Sequence, residues 1–153
     1  MYAVFCLILI SNYAFVQGEF VFKKKCRDVD TSLCTVHNVM VEPCGEGPIF
    51  CALKKNKPYS ISLDVTPHFS ANKLQAVIKG DVQNQNTFST TFTRSAEYND
   101  LLDNTLSEGK RTHIQLQLAV DKRASGKFPL EVRVWDEDDT SHVCCSIFTV
   151  KIK

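Results

Sequence analysis

At 153 residues the chain has the length of one domain with a hydrophobic core. Hydrophobic residues make up 44% and charged residues 23%, a composition that excludes an intrinsically disordered chain. A formal net charge of +1 leaves no electrostatic footprint for nucleic acid or for a strongly anionic membrane surface.

The N-terminal segment stands apart. Met1 to Ile10 is almost wholly apolar, Ser11-Asn12 breaks the run, and Val16-Gln17-Gly18 puts small or permissive side chains where a signal peptidase reads. The run is shorter than the roughly 20 residues needed to cross a bilayer. Residues 1–18 are therefore read as a cleaved signal peptide, which predicts a secreted, extracellular domain over residues 19–153. An uncleaved N-terminal helix is the alternative, because no Lys or Arg precedes the run. No second apolar stretch follows, so the mature chain is expected to be soluble.

Of seven cysteines, Cys6 leaves with the signal and six remain: Cys26, Cys34, Cys44, Cys51, Cys144 and Cys145. An even number in an exported domain reads as a disulfide framework. A zinc site is the weaker reading, since there is no C-x-x-C pair and His142 has no second ligand pair at zinc spacing. Cys44 and Cys51 flank a loop rich in Gly and Pro, so closing it is local. Cys144 and Cys145 are adjacent in a predicted strand, and their side chains must point to opposite faces. Cys26 and Cys34 would each take one of them, tying the last strand to the N-terminal segment. No N-x-S/T sequon occurs, so no N-glycan is expected.

From the middle onward the period is two. Tyr59, Ile61, Leu63 and Val65 alternate with Ser60, Ser62 and Asp64. Ile114, Leu116, Leu118 and Val120 alternate with His113, Gln115 and Gln117 until Ala119 interrupts. Phe128, Leu130, Val132 and Val134 alternate with Pro129, Glu131 and Arg133. Each segment therefore has one apolar and one polar face. Turn residues separate them at Pro43 to Pro48, Gly80-Asp81, Ser107 to Gly109, Ala124 to Gly126 and Asp136 to Ser141. Only Ala96 to Leu106 has any helical character. About seven or eight one-sided strands indicate an all-β antiparallel sandwich or barrel, whose apolar faces meet across about 10 Å.

Taken in order, these segments resemble the ML (lipid-recognition) domain family, in the branch of the Niemann–Pick type C sterol carriers and the group-2 mite allergens. Phe22-Lys23-Lys24-Lys25-Cys26 resembles the opening cysteine segment. Val39-Met40-Val41-Glu42-Pro43-Cys44, then Cys51-Ala52-Leu53-Lys54, resembles the family's V-x-V-x-P-C…C-x-L-x-K hairpin. Tyr59 to Gly80 resembles the strand, turn and strand that follow. Leu118-Ala119-Val120 and Phe128-Pro129 resemble two rim segments, and Cys145 with Phe148, Val150 and Ile152 resembles the closing strand. The resemblance implies a two-sheet, immunoglobulin-like antiparallel β-sandwich with an apolar cavity between the sheets. It implies Cys26–Cys145 and Cys44–Cys51 as bridges and leaves Cys34–Cys144 as a third, which departs from the sterol-carrier pattern. The sterol carriers' second-half bridge has no counterpart, because Arg94 to Gly109 holds no cysteine. Their Pro-rich rim strand is replaced by Gln83-Asn84-Gln85-Asn86-Thr87-Phe88.

Carried over residue by residue, the family's pocket implies Val41, Leu53, Tyr59, Ile61, Leu63 and Val77 as lining. It implies Phe88, Val120 and Phe128 at the mouth, and Pro129, Val132 and Val134 along one wall. Alternation alone is equally compatible with a filled core. The implied function is a secreted lipid-binding and transfer protein holding a sterol, a fatty acid or a similar apolar molecule, with transient membrane or receptor contact. The alternative is an innate-immune lipid-recognition module acting with a receptor. No nucleic-acid partner, cofactor or metal is expected. Asp136-Glu137-Asp138-Asp139 lacks the Gly and distal Glu of a calcium loop and reads as a solvated turn. Lys23-Lys24-Lys25 and Lys54-Lys55-Lys57 could meet anionic head groups but read first as solvated positions. No G-x-S-x-G or similar nucleophile motif occurs, so an exported hydrolase is the remote third reading.

Overall fold

The computed structural model describes residues 18–45, 49–80, 105–120 and 125–153. The signal-peptide reading, Phe88, and all but the last two residues of Ala96 to Leu106 lie outside the described residues. Leu106 itself forms an isolated antiparallel bridge with Ala71.

The regular elements are strands: β1 (Glu19–Phe20), β2 (Lys23–Lys24), β3 (Cys34–Glu42), β4 (Cys51–Leu53), β5 (Pro58–Pro67), β6 (Leu74–Gly80), β7 (Thr112–Ala119), β8 (Gly126–Asp136) and β9 (Val143–Ile152). They form two sheets. The first runs β1-β3-β5-β7 and is antiparallel throughout. The second runs β2-β9-β8-β6, with β4 added parallel to β9 beside Val150 to Ile152. The chain passes from one sheet to the other at Val21-Phe22, between β1 and β2.

The expected alternation of β5, β7 and β8 is realised. Their odd or even apolar members turn to the interior and their polar members outward. Strand β3 needs a correction of phase to do the same. Cys34 is buried and Val36 packs against the core, so unbroken alternation would next bury Asn38 and Met40. A bulge between Val36 and Asn38 inserts one residue against β5 and hands the inward face to Val39 and Val41. His37, at the bulge, stays on the outer side with Nε2 2.8 Å from Thr66 Oγ1 on β5.

The adjacent cysteines reach opposite faces of β9. Cys144 joins Cys34 inside the sandwich and links the two sheets, with Cα atoms 5.1 Å apart. Cys145 joins Cys26 on the outer face, in a small cluster with Val143 and the partly buried Val29, Trp135 and Ile147. Cys44–Cys51 connects the end of β3 to β4 and so also spans the two sheets. All six cysteines among the described residues are thereby used on the β3–β9 side. None remains to join edge strand β6 to edge strand β7.

On the outer face of the first sheet, Arg111 makes a two-pronged pair with Asp64. Its hydrogen bonds and charge hold the Asp64 carboxyl below its ordinary value of 3.8. The folded chain thus binds this proton less readily than the unfolded chain. The pair's contribution is present above the unfolded pKa and disappears as pH falls through the lower folded value. Asp64→Asn should therefore lower stability by under about 1 kcal/mol at neutral pH, because Arg111 is largely solvated, with the difference vanishing in strong acid. Denaturant midpoints measured from neutral pH down to about pH 2 check both the size and the direction.

Candidate functional site

The inward faces of both sheets form one continuous apolar cluster. Nine of the twelve positions implied as lining lie in it: Val41, Leu53, Tyr59, Ile61, Leu63, Val120, Phe128, Val132 and Val134 are all buried. Strands β3 and β5, with Val120 just beyond β7, contribute from one sheet, and β4 and β8 from the other.

Two of the twelve do not. Val77 is only half buried on the outer face of the second sheet, beside Lys79 and Arg133. Its inward neighbours Ala76 and Ile78 occupy the interior instead. The physical reason is the phase of β6: Lys79 must be solvated, and Val77 shares its face. Pro129 is exposed, because Phe128 and Leu130 take the inward positions of β8. Phe88 lies outside the described residues. The large residues that the resemblance omitted, Leu130, Phe148 and Ile114, stand on the same inward faces. The period-two pattern of β7 and β8 carries the signal for Ile114 and Leu130.

Polar groups at the interior are few. The Tyr59 ring lies inside while its hydroxyl accepts a 2.6 Å hydrogen bond from the Lys54 N–H at the end of β4. Among the described residues, the other buried polar side chains are Ser62, Asp136 and Ser146. Ser62 is on the outer face of β5. Asp136 closes the β8–β9 turn, where Oδ1 accepts from the Asp138 N–H at 3.1 Å. Asp139 accepts from both the Ser141 N–H at 3.0 Å and the Ser141 hydroxyl at 2.6 Å. Both carboxylates are engaged in turn geometry; Glu137, Asp138 and Asp139 are exposed as expected of a solvated turn, whereas Asp136 is buried. Cys26, Glu131 and Cys145 come within metal-ligand reach of one another, but the two cysteines are joined to each other and have no thiolate to offer. Among the described residues the interior is thus walled almost wholly by apolar side chains.

Two facing sheets with an apolar interior, stapled on one side, make an immunoglobulin-like β-sandwich. Residues 21–152 match the ML domain family model, and the chain belongs to that family. An MD-2-related lipid-recognition protein of Manduca sexta is 28% identical over 136 residues, covering 84% of this chain and 82% of that protein. A Niemann–Pick type C2 protein from the Japanese carpenter ant shares the fold at a TM-score of 0.62 and 14% identity, covering 79% of this chain and 93% of that one. The C-terminal domain of wzt has a similar architecture at a TM-score of 0.54 and 10% identity, over 90% of this chain and 80% of that domain. Family membership makes this a lipid-recognition protein and not an enzyme.

Proposed function

We propose that the protein is secreted and carries a sterol, a fatty acid or a similar long apolar molecule between its two sheets. The observation that supports this most is the set of inward apolar positions from both sheets, with the Tyr59 hydroxyl held by the Lys54 backbone N–H. Three disulfides suit an oxidising, extracellular setting. The β6–β7 side, which no bridge crosses, is the natural route of entry.

The energetics suit reversible carriage. Burying about sixteen methylenes yields roughly 13 kcal/mol, and lost freedom on association offsets several kcal/mol of it. The net falls between micromolar and nanomolar affinity, which permits both pickup and release. The test is uptake of labelled sterol and labelled fatty acid, followed by transfer between vesicles. Saturable uptake of either at about one molecule per chain is expected, and no uptake of any long apolar probe would sink the reading.

A second reading, lipid recognition presented to a receptor, is favoured by the outward Val77 and Trp135. They border a groove of about 270 Å³ on the second sheet together with Val29 and Val143. Vesicle-to-vesicle transfer proceeding with no receptor captured by the immobilised protein would count against it.

A further inference from the structure

The three consecutive lysines do more than coat a strand end. Lys23, Lys24 and Lys25 line a cleft of about 140 Å³ at the edge of the second sheet remote from β6. Such a volume exceeds that needed by a single water. Thr31, Thr35 and Ser146 complete its polar wall, and Cys34, Val36 and Cys145 complete the rest. No carboxylate lines it. Among the described residues no acidic side chain pairs with any of the three lysines. The cleft is therefore a concentration of uncompensated positive charge in a chain whose net charge is only +1.

A second, independent observation lies at its base. Ser146 is 1% exposed, and its Oγ has no hydrogen-bond partner. A buried hydroxyl left unpaired is destabilising, and native proteins rarely keep one without a use. The lysine arm is also held in place. β2 pairs with β9 at Lys23–Phe148 and Lys24–Ile147, and Cys26, next to Lys25, is bonded to Cys145, the neighbour of Ser146. The charges and the hydroxyl thus share one rigid frame, which lowers the cost of ordering them around an anion.

We propose that this cleft is a binding site for a phosphate group, with the lysines supplying charge and Ser146 donating a hydrogen bond from the buried wall. It opens at the edge of the sandwich where Cys34 and Val36 of the interior cluster come to the surface, with Ser146 on the inward face of β9 between Cys144 and Phe148. A phosphate could come from solution or from a phospholipid head group. Exposed Phe20 and Phe22 immediately precede the lysines, so both sources need a probe.

The test titrates the full, disulfide-bonded protein with inorganic phosphate by phosphorus NMR. In parallel it measures sedimentation with phosphatidylcholine vesicles with and without phosphatidic acid. Saturable binding that weakens with added salt is expected for at least one probe. Recruitment by phosphatidic acid identifies the head group, and binding of inorganic phosphate alone identifies the free ion; either supports the site. Replacing the three lysines with Gln should abolish binding. Ser146→Ala should weaken it about tenfold, the effect of one charge-assisted hydrogen bond, while leaving the melting temperature equal or higher because an orphan hydroxyl is removed. No saturable binding of either probe, binding that survives the lysine replacements, or an affinity unchanged by Ser146→Ala overturns the proposal.

Discussion

A chain lacking both long bridges, with Cys26, Cys34, Cys144 and Cys145 all replaced by Ala, should lose roughly 7–8 kcal/mol of stability, whereas removing either bridge alone should cost only about 3. The asymmetry follows from sequence positions. Cys26–Cys145 and Cys34–Cys144 span 119 and 110 residues, and they run side by side because Cys144 and Cys145 are neighbours. Whichever forms first restricts the unfolded chain by closing a loop of more than a hundred residues, worth about 5 kcal/mol in the loop-entropy account. The other then closes only a ring of about ten residues, worth about 3 kcal/mol. Loss of one bridge leaves the large loop closed by its partner. The four-alanine chain falls near or past the stability of an ordinary domain, about 5–15 kcal/mol. Denaturant unfolding of the wild type, the two single-bridge variants and the double variant gives the cycle directly. Additive losses of about 5 kcal/mol per bridge would contradict the nested-loop account.

The second large effect concerns the interior. Ala76 is the smallest inward side chain of β6, an edge strand on the side that no disulfide closes. Ala76→Phe adds a ring to the space between the sheets. In a filled core such overpacking costs about 1–3 kcal/mol. In an interior that opens for a ligand, the ring occupies ligand space instead. Lipid uptake should then weaken at least tenfold, about 1.4 kcal/mol in binding, while the unfolding midpoint moves little. Val77→Phe, one residue away on the outer face, should leave uptake unchanged. A large fall in stability with unchanged uptake by the surviving folded protein would point to a filled core.

That pair of neighbours also measures what could be read from residues alone. Period-two alternation placed β5, β7 and β8 correctly, because each strand has solvent on one side and apolar side chains on the other. The adjacent cysteines carried a purely geometric prediction, opposite faces of β9, and the structure has it. Resemblance and alternation disagree at two positions, and the structure follows alternation at both. Pro129 stands between Phe128 and Leu130 and could not share their face. Val77 shares a face with Lys79, a residue that must reach water. The bulge in β3 was not legible, since the switch of phase from Val36 to Val39 depends on pairing with β5, a contact far away in sequence. The cleft was half legible: the lysine run was visible, but Ser146 lies more than a hundred residues away and joins it only through the β2–β9 pairing.

The central claim is that the space between the sheets holds a lipid. Native mass spectrometry of the protein purified from a secreting host, before and after solvent extraction, tests it most directly. The account predicts a mass excess of one long apolar molecule, removed by extraction and restored by adding sterol or fatty acid back. A mass equal to that of the bare disulfide-bonded chain, unchanged by an excess of either lipid, would contradict it.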